Sequence, residues 1–152
     1  MRVHVVYDSA YGNTELIATA VAQVLRSSHE VAAYRVGETP PFPLDPGDLL
    51  VVGSPTQGGH ATPAMEHFMA HLPDTVLEGL AVAAFDTRMA ARWVRIFGYA
   101  APRMEKALVL RDAVPVAAAE GFVVTGREGP LAAGERQRAA DWACGLALPV
   151  TH

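Results

Sequence analysis

The sequence predicts a doubly wound α/β fold in which a parallel sheet is covered by helices on both faces. Short apolar, β-branched runs alternate along the chain with segments whose apolar residues recur at helical spacing. Right-handed helical crossovers between parallel strands place helices on both sides of the sheet, which gives three layers. We expect the 152 residues to form one domain, residues 1–152, because 51% of them are hydrophobic and only 18% are charged.

The first half of the chain predicts three strands and two helices. Residues 3–7 form the first strand, and the apolar residues between 17 and 24 predict a helix that ends near Ser28. Residues 31–34 are a short second strand, and the proline-rich residues 37–47 are a surface connection. The continuous apolar run 49–54 suits a third strand that is buried on both faces. Pro63 fits a first helical position, and Pro73 ends a helix whose apolar stripe is Met65, Phe68, Met69 and Leu72.

The second half predicts two further strands and two further helices. Residues 80–85 are a fourth central strand, and a helix follows over about residues 102–110. Residues 114–117 and 122–124 are interpreted as two pieces of one interrupted fifth strand. Residues 135–148 form a closing helix whose inward positions are Ala139, Trp142, Ala143 and Leu146.

Composition and charge exclude several classes of function. The 12 basic and 16 acidic residues give a net charge of −4, which offers no electrostatic basis for binding nucleic acid. No apolar run is long enough for membrane insertion, and the start of the chain lacks a secretory signal pattern, so we expect a cytoplasmic protein. The single cysteine, Cys144, is interpreted as a small buried hydrophobic residue. His67 and His71 have zinc-ligand spacing, but we expect both to be solvent-exposed and predict no metal site.

Polar, flexible residues follow three of the predicted strands, at 8–13, 54–60 and 86–89. The carboxyl ends of parallel strands lie at one edge of the sheet, where ligands of such folds bind. The first of these loops opens a helix and offers hydroxyl and amide groups from Ser9, Asn13 and Thr14, with Gly12 allowing close approach. It is therefore either an anion site or only a well-capped connection between strand and helix.

These residues resemble the flavodoxin family. The segment Asp8-Ser9-Ala10-Tyr11-Gly12-Asn13-Thr14 is similar to its phosphate loop for flavin mononucleotide (FMN), in which a Ser or Thr stands three places before Gly-Asn-Thr. Residues 53–59 and 85–88 lie where that family has its second and third flavin loops. The resemblance implies the strand order 2-1-3-4-5 and FMN as cofactor, with no catalytic residue. It implies these cofactor-binding residues: Ser9, Ala10, Tyr11, Gly12, Asn13, Thr14, Pro55, Thr56, Gln57, Gly58, Gly59, Asp86, Thr87 and Arg88.

The resemblance also assigns roles to the loops. Backbone amides and hydroxyls of the first loop would hold the phosphate without an obligatory basic side chain, and a peptide at Gly58 or Gly59 would turn its carbonyl toward flavin N5. Asp86 would accept a hydrogen bond at the flavin or cap the turn after its strand. Aromatic residues near the second and third loops are sparse. Trp93, Phe97 and Tyr99 are candidates for stacking on the flavin ring, but Trp93 and Phe97 are four residues apart and could instead pack on one helix face. The cluster of Arg88, Arg92 and Arg95 either gives the flavin a potential less negative than that of acidic flavodoxins, or is an ordinary solvated helix face or a docking patch for an acidic partner.

The predicted function is electron transfer by bound FMN between redox partner proteins, a reductase donor and an acceptor, with the chain a monomer or weak dimer. One alternative is an FMN-dependent oxidoreductase that acts on a quinone or protoporphyrinogen. A second alternative is a scaffold of the same fold that binds no flavin. Nucleoside triphosphate and dinucleotide sites are disfavoured, because the first loop contains neither Gly-Lys-Ser/Thr nor Gly-x-Gly-x-x-Gly.

Overall fold

The strands and helices alternate as the hydrophobic pattern predicts. The structure is a computed structural model that describes residues 2–90 and 98–146. In chain order its elements are β1 (Arg2–Tyr7), α1 (Asn13–Leu25), β2 (Glu30–Arg35), β3 (Leu49–Pro55), α2 (Pro63–Ala70), α3 (Asp74–Leu77), β4 (Ala81–Met89), α4 (Ala100–Val109), β5 (Val114–Pro115), β6 (Glu120–Val124) and α5 (Glu135–Cys144).

All strand pairs are parallel, and the sheet order is β2-β1-β3-β4-β5, with β6 also paired to β4. The predicted order 2-1-3-4-5 is confirmed. The fifth strand is indeed interrupted, because β5 pairs with Ala81 and Val82 while β6 pairs with residues 85–89 of the same β4 edge. Residues 114–124 thus form one edge of the sheet in two segments.

Two hydrophobic layers enclose the sheet. Val3 and Val5 of β1 face α1 and α5, in the core that also contains Phe85 and Phe122. Val6, on the opposite face of β1, belongs to the core that packs against α2 and α4. Successive strand residues alternate between the two cores, so both faces of the central strands are apolar and the strands read as continuous apolar runs.

Several elements differ from the prediction in their bounds. Strand β4 continues through residues 86–89, which were expected to form a loop, because β6 lies alongside and extends the ladder of hydrogen bonds. The short α3 was not predicted, and α4 begins at Ala100 rather than near residue 102. Helix α2 begins at Pro63, as predicted, and Thr62 caps it by accepting a hydrogen bond from the Met65 N–H.

Helix α5 corrects one prediction about burial. Ala139 and Ala143 are buried as expected, but Cys144 is exposed. Successive residues of a helix are rotated by about 100°, so the residue after a buried alanine points outward.

His67 and His71 are exposed, as predicted. In the parts of the chain that the structure describes, no helix has the length and apolar character needed to cross a bilayer.

Candidate functional site

A cleft of about 680 Å³ lies at the carboxyl ends of β1, β3 and β4. Its volume falls within the range of about 300–1,000 Å³ that is typical of small-molecule sites. Its walls come from four chain segments, the three predicted loops and the residues that follow β6. The lining residues are Ala10, Tyr11, Asn13, Thr14, Pro55, Thr56, Gln57, Gly58, Gly59, Thr87, Arg88, Met89, Val124 and Arg127.

The first loop leaves the start of α1 open toward this cleft. Gly12 is the residue before the helix and has φ of 90°, a left-handed conformation that L side chains rarely adopt. No side chain caps α1, so the N–H groups of its first turn, from Asn13 to Glu15, have no acceptor within the helix. Together with the helix dipole, these donors form a site for an anion.

Ser9 shapes this loop from behind rather than lining the cleft. Its hydroxyl oxygen accepts the Gly12 N–H at 3.0 Å, and its side chain is buried. The Asp8 carboxylate accepts the Ser9 N–H at 2.9 Å and the Thr62 hydroxyl at 2.6 Å. The Arg35 guanidinium donates to the Ser9 carbonyl at 2.8 Å and lies 3.7 Å from the Asp8 carboxylate. Arg35, which comes from the neighbouring strand β2, was not predicted to take part in the site.

The second loop contains a tight turn at Gly58 and Gly59. The flanking Gln57 and His60 exchange two backbone hydrogen bonds, at 2.8 and 3.0 Å. Gly58 has φ of 56° and Gly59 has φ of 86°, and two positive central φ values define a type I′ turn. Both positions therefore favour glycine, and both residues line the cleft, Gly58 exposed and Gly59 buried.

The third segment differs from its predicted role. Asp86 is fully buried within β4 and does not line the cleft. Its carboxylate accepts two hydrogen bonds from Arg88, both of 2.7 Å, and a third from the Ala101 N–H at 2.8 Å. The Arg88 guanidinium lies 3.6 Å from the centre of the Tyr99 ring and packs against Gly121, where a Cβ atom would come within 2.1 Å of it. Arg88 lines the cleft, but its charge is compensated by Asp86.

Two threonine hydroxyls join the first loop to β4. Thr14 and Thr87 are both buried, and their hydroxyl oxygens are 2.9 Å apart. Thr56 is held similarly, since its N–H donates to the Thr87 carbonyl at 2.9 Å and its hydroxyl accepts the Ala100 N–H at 3.0 Å. These bonds fix the three strand ends relative to each other.

The fourth wall, formed by Val124 and Arg127 after β6, was not predicted. The rule that identified the other three loops, that ligands bind beyond the carboxyl ends of strands, applies equally to the end of the fifth strand. The split of that strand into β5 and β6 obscured where it ends. Residues 125–130 are polar and glycine-containing, which is the signal that would have found them.

Eleven of the fourteen predicted cofactor-binding residues line the cleft, and the exceptions are Ser9, Gly12 and Asp86. Their contact with a cofactor stays a prediction. Trp93 and Phe97, proposed for stacking, and Arg92 and Arg95, proposed to raise the potential, lie outside the described residues. Of the described residues that line the cleft, Tyr11 is the aromatic one, and it is 52% exposed.

Residues 2–90 and 98–146 contain no group of three His, Cys, Asp or Glu side chains arranged to hold a metal ion.

Comparison with known proteins identifies relatives of this fold and of this sequence. A family model described as "Flavodoxin domain" matches residues 4–118. The putative diflavin flavoprotein A 2 of Thermosynechococcus vestitus is 41% identical over 64 residues, which are 39% of this chain and 11% of that much longer protein. The structure of a flavodoxin from the domain Archaea matches with a TM-score of 0.77 and 21% identity over 100% of both chains. Oxidised flavodoxin 1 from Bacillus cereus matches with a TM-score of 0.77 and 18% identity, over 99% of this chain and 100% of that one.

Proposed function

Since the chain belongs to the flavodoxin domain family, we propose that it binds FMN in the cleft and transfers electrons between redox partner proteins. The observation that carries the proposal is the open N-terminus of α1, which meets the turn at Gly58 and Gly59 across a single cleft of ligand size. When bound, the flavin supplies the one- and two-electron chemistry, and the protein supplies binding, orientation and electrostatics.

The first loop suits the phosphate of FMN. The unpartnered N–H groups of Asn13, Thr14 and Glu15 would donate to a terminal phosphate monoester, and the α1 dipole favours its negative charge. The Thr14 hydroxyl is already paired with Thr87, so its oxygen is fixed at the wall before a ligand arrives. Asp8, Ser9 and Arg35 hold the loop in shape through contacts on its far side.

The second loop suits the polar edge of a flavin ring. Glycine adopts positive and negative φ at similar cost, so the peptide between Gly58 and Gly59 can rotate from a type I′ to a type II′ turn. That rotation exchanges a carbonyl acceptor for an N–H donor at the same place in the wall. The flanking bonds between Gln57 and His60 keep the strand ends fixed meanwhile. The protein would thereby match its hydrogen bonding to the protonation of the flavin edge.

The side chains of the cleft favour an electron carrier over an enzyme that acts on a separate substrate. The described lining residues include no carboxylate and no imidazole that would transfer a proton to a substrate. Of the two lining arginines, Arg88 is engaged by the buried Asp86. The described part of the cleft thus offers mainly binding groups and hydrogen bonds, with the Tyr11 hydroxyl as its weakly acidic group.

The first test is the visible absorbance of the purified protein, followed by FMN titration monitored through quenching of flavin fluorescence. We expect a flavin spectrum and one FMN bound per chain. Gly12→Ala, which strains the loop at φ of 90°, should weaken FMN binding, whereas Gly47→Ala imposes the same strain at φ of 93° in the connection between β2 and β3 and should not. Protein that leaves FMN fluorescence unchanged would support a flavin-free scaffold, and rapid NAD(P)H-dependent reduction of a quinone would support an oxidoreductase. Either result overturns the carrier proposal.

A further inference from the structure

Arg127 lies at the apex of a loop that packs against the phosphate loop. Residues 126–129 form a turn closed by a hydrogen bond of 3.1 Å from the Gly129 N–H to the Gly126 carbonyl. The N–H and the hydroxyl of Thr125 both donate to the Pro130 carbonyl, at 2.8 and 3.0 Å. The loop is therefore pinned at its base and at its apex.

Asn13 connects this loop to the start of α1. Its side-chain amide donates to the Glu128 carbonyl at 3.1 Å. Gly129, with φ of 102°, packs so closely that an added Cβ atom would lie 2.6 Å from the Asn13 amide group. Arg127 is the neighbour of Glu128 in this loop and lines the same cleft as Asn13. Arg127 therefore belongs to the loop that contacts the first residue of α1, and it faces the cleft into which that helix opens.

The charge balance at the cleft distinguishes Arg127 from the other arginines. Arg88 is paired with Asp86, and Arg35 lies 3.7 Å from Asp8. In the described ranges no carboxylate forms an ion pair with Arg127, whose side chain is exposed. The phosphate loop itself contains no Lys or Arg. A phosphate monoester carries a charge of about −1.5 to −2 near neutral pH, and guanidinium groups pair with phosphate through two parallel hydrogen bonds.

We propose that Arg127 pairs with the terminal phosphate of the flavin and makes the cleft select the phosphorylated flavin, FMN, over riboflavin. This inference rests on the proposed function, because it assumes that the phosphate of a flavin occupies the open end of α1. The helix N–H groups position the phosphate, and Arg127 neutralises it from the adjacent wall. The fourth wall of the cleft is then a specificity element rather than a passive boundary.

The test compares FMN and riboflavin on the same variants. Wild type, Arg127→Gln and Arg136→Gln are titrated with each flavin by fluorescence quenching at low ionic strength; Arg136 is an exposed arginine on α5 and serves as the matched control. We expect Arg127→Gln to weaken FMN binding about tenfold and to leave riboflavin binding unchanged. The difference should shrink at about 0.5 M salt, because the side chain is exposed and its charge is screened.

Two results would overturn the inference and leave the proposed function intact. One is an equal loss of affinity for both flavins in Arg127→Gln, which would mean that the residue supports the loop or the ring rather than the phosphate. The other is unchanged FMN affinity together with slower electron transfer to a redox partner, which would make Arg127 a partner-docking residue. Wild-type protein that binds neither flavin would overturn the proposed function itself.

Discussion

The Arg88 guanidinium and the Asp86 carboxylate face each other as a two-pronged ion pair, with both N–O distances at 2.7 Å. Asp86 is fully buried and the Arg88 side chain is 20% exposed. The two residues stand two apart on β4 and thus project from the same face of the sheet. Because Ala101 at the start of α4 donates to the same carboxylate, the pair also anchors that helix to the strand end.

Removing Arg88 should leave the buried Asp86 carboxylate without its counter-ion. Breaking a buried pair by deleting one partner costs about 3–5 kcal/mol. We therefore expect Arg88→Met to lower the free energy of unfolding, measured in urea, by about that amount. Arg88→Lys keeps the charge and should lose less, although it forfeits the second hydrogen bond and the packing against Tyr99. A loss below about 1 kcal/mol for Arg88→Met would show that the pair contributes little.

Substitutions at Gly58 and Gly59 should shift the flavin potential in opposite directions. Asn at position 58 suits a type I′ turn and disfavours type II′, whereas Ala at position 59 is strained at φ of 86° but relaxed in type II′. If the turn rotates with the redox state of the flavin, Gly58→Asn and Gly59→Ala should shift its one-electron potential in opposite directions. A strain of about 1–2 kcal/mol corresponds to about 40 to 90 mV for a one-electron couple. Potentiometric titration measures both, and shifts of the same sign would refute the coupling.

Glu135 should make the protein less stable in acid. The hydrogen bonds from Arg138 lower the pKa of Glu135 below its ordinary 4.5, desolvation opposes this, and the Val123 N–H adds to the lowering. A carboxyl group with a lowered pKa stabilises the fold fully above the unfolded value, and that stability is lost as the pH falls through the folded value. Glu135→Gln should thus cost about 1–3 kcal/mol at pH 7 and flatten the decline below pH 4.5. Urea unfolding at pH 7, 5 and 3.5 tests this, and an unchanged acid slope would contradict it.

His4 should produce a separate loss of stability at mildly acidic pH. It is completely buried in β1, where its Nδ1 lies 2.8 Å from the Tyr34 hydroxyl, and burial lowers the pKa of His4 below 6.5. In the unfolded chain His4 binds a proton near pH 6.5, whereas in the folded chain it stays neutral to lower pH. The contribution of His4 to the free energy of unfolding is therefore fully present above pH 6.5 and decreases below it. The slope is at most about 1.4 kcal/mol per pH unit.

The check is the free energy of unfolding between pH 7.5 and 5, above the range in which Glu135 titrates. His4→Asn should be less stable at pH 7.5 but show a flatter profile, since the buried titrating ring is gone. His67→Gln changes an exposed position of α2 and is the matched control. A profile as steep in His4→Asn as in the wild type would assign the loss of stability to other groups.

The fold was predictable because each strand and helix has its own signal in the adjacent sequence, and these signals recur along the chain. Each central strand packs on both faces, so residues 49–54 appear as an unbroken apolar run, and Pro63 marks a helix start that depends on its own neighbours. The end of β4 was not predictable in this way. Residues 86–88 are polar, and the strand extends through Arg88 and Met89 only because these two pair with β6, more than 30 residues later in the chain.

The site was predicted in part for the same reason. The glycines of the first two loops can be recognised in the sequence, because the positive φ values there favour that residue. The hydrogen-bond partners of polar side chains cannot be recognised in the same way. The sequence predicts Asp86 and Arg88 as ligand contacts, but the Asp86 carboxylate and the Arg88 guanidinium bind each other. Arg35 contacts the first loop from a strand that contains no recognisable motif. Such pairings depend on tertiary distances.

The bond between Asn13 and the Glu128 carbonyl has a consequence for the order of events during synthesis. It joins the first ligand loop to be translated with the last, across 115 positions of the chain. A nascent chain that ends at residue 118, where the family match stops, lacks β6, α5 and the wall formed by Val124 and Arg127. The cleft therefore cannot close before residues 124–128 have left the ribosome. Capture of a ligand by this cleft is then a late step, which follows rather than directs the assembly of the strands that frame it.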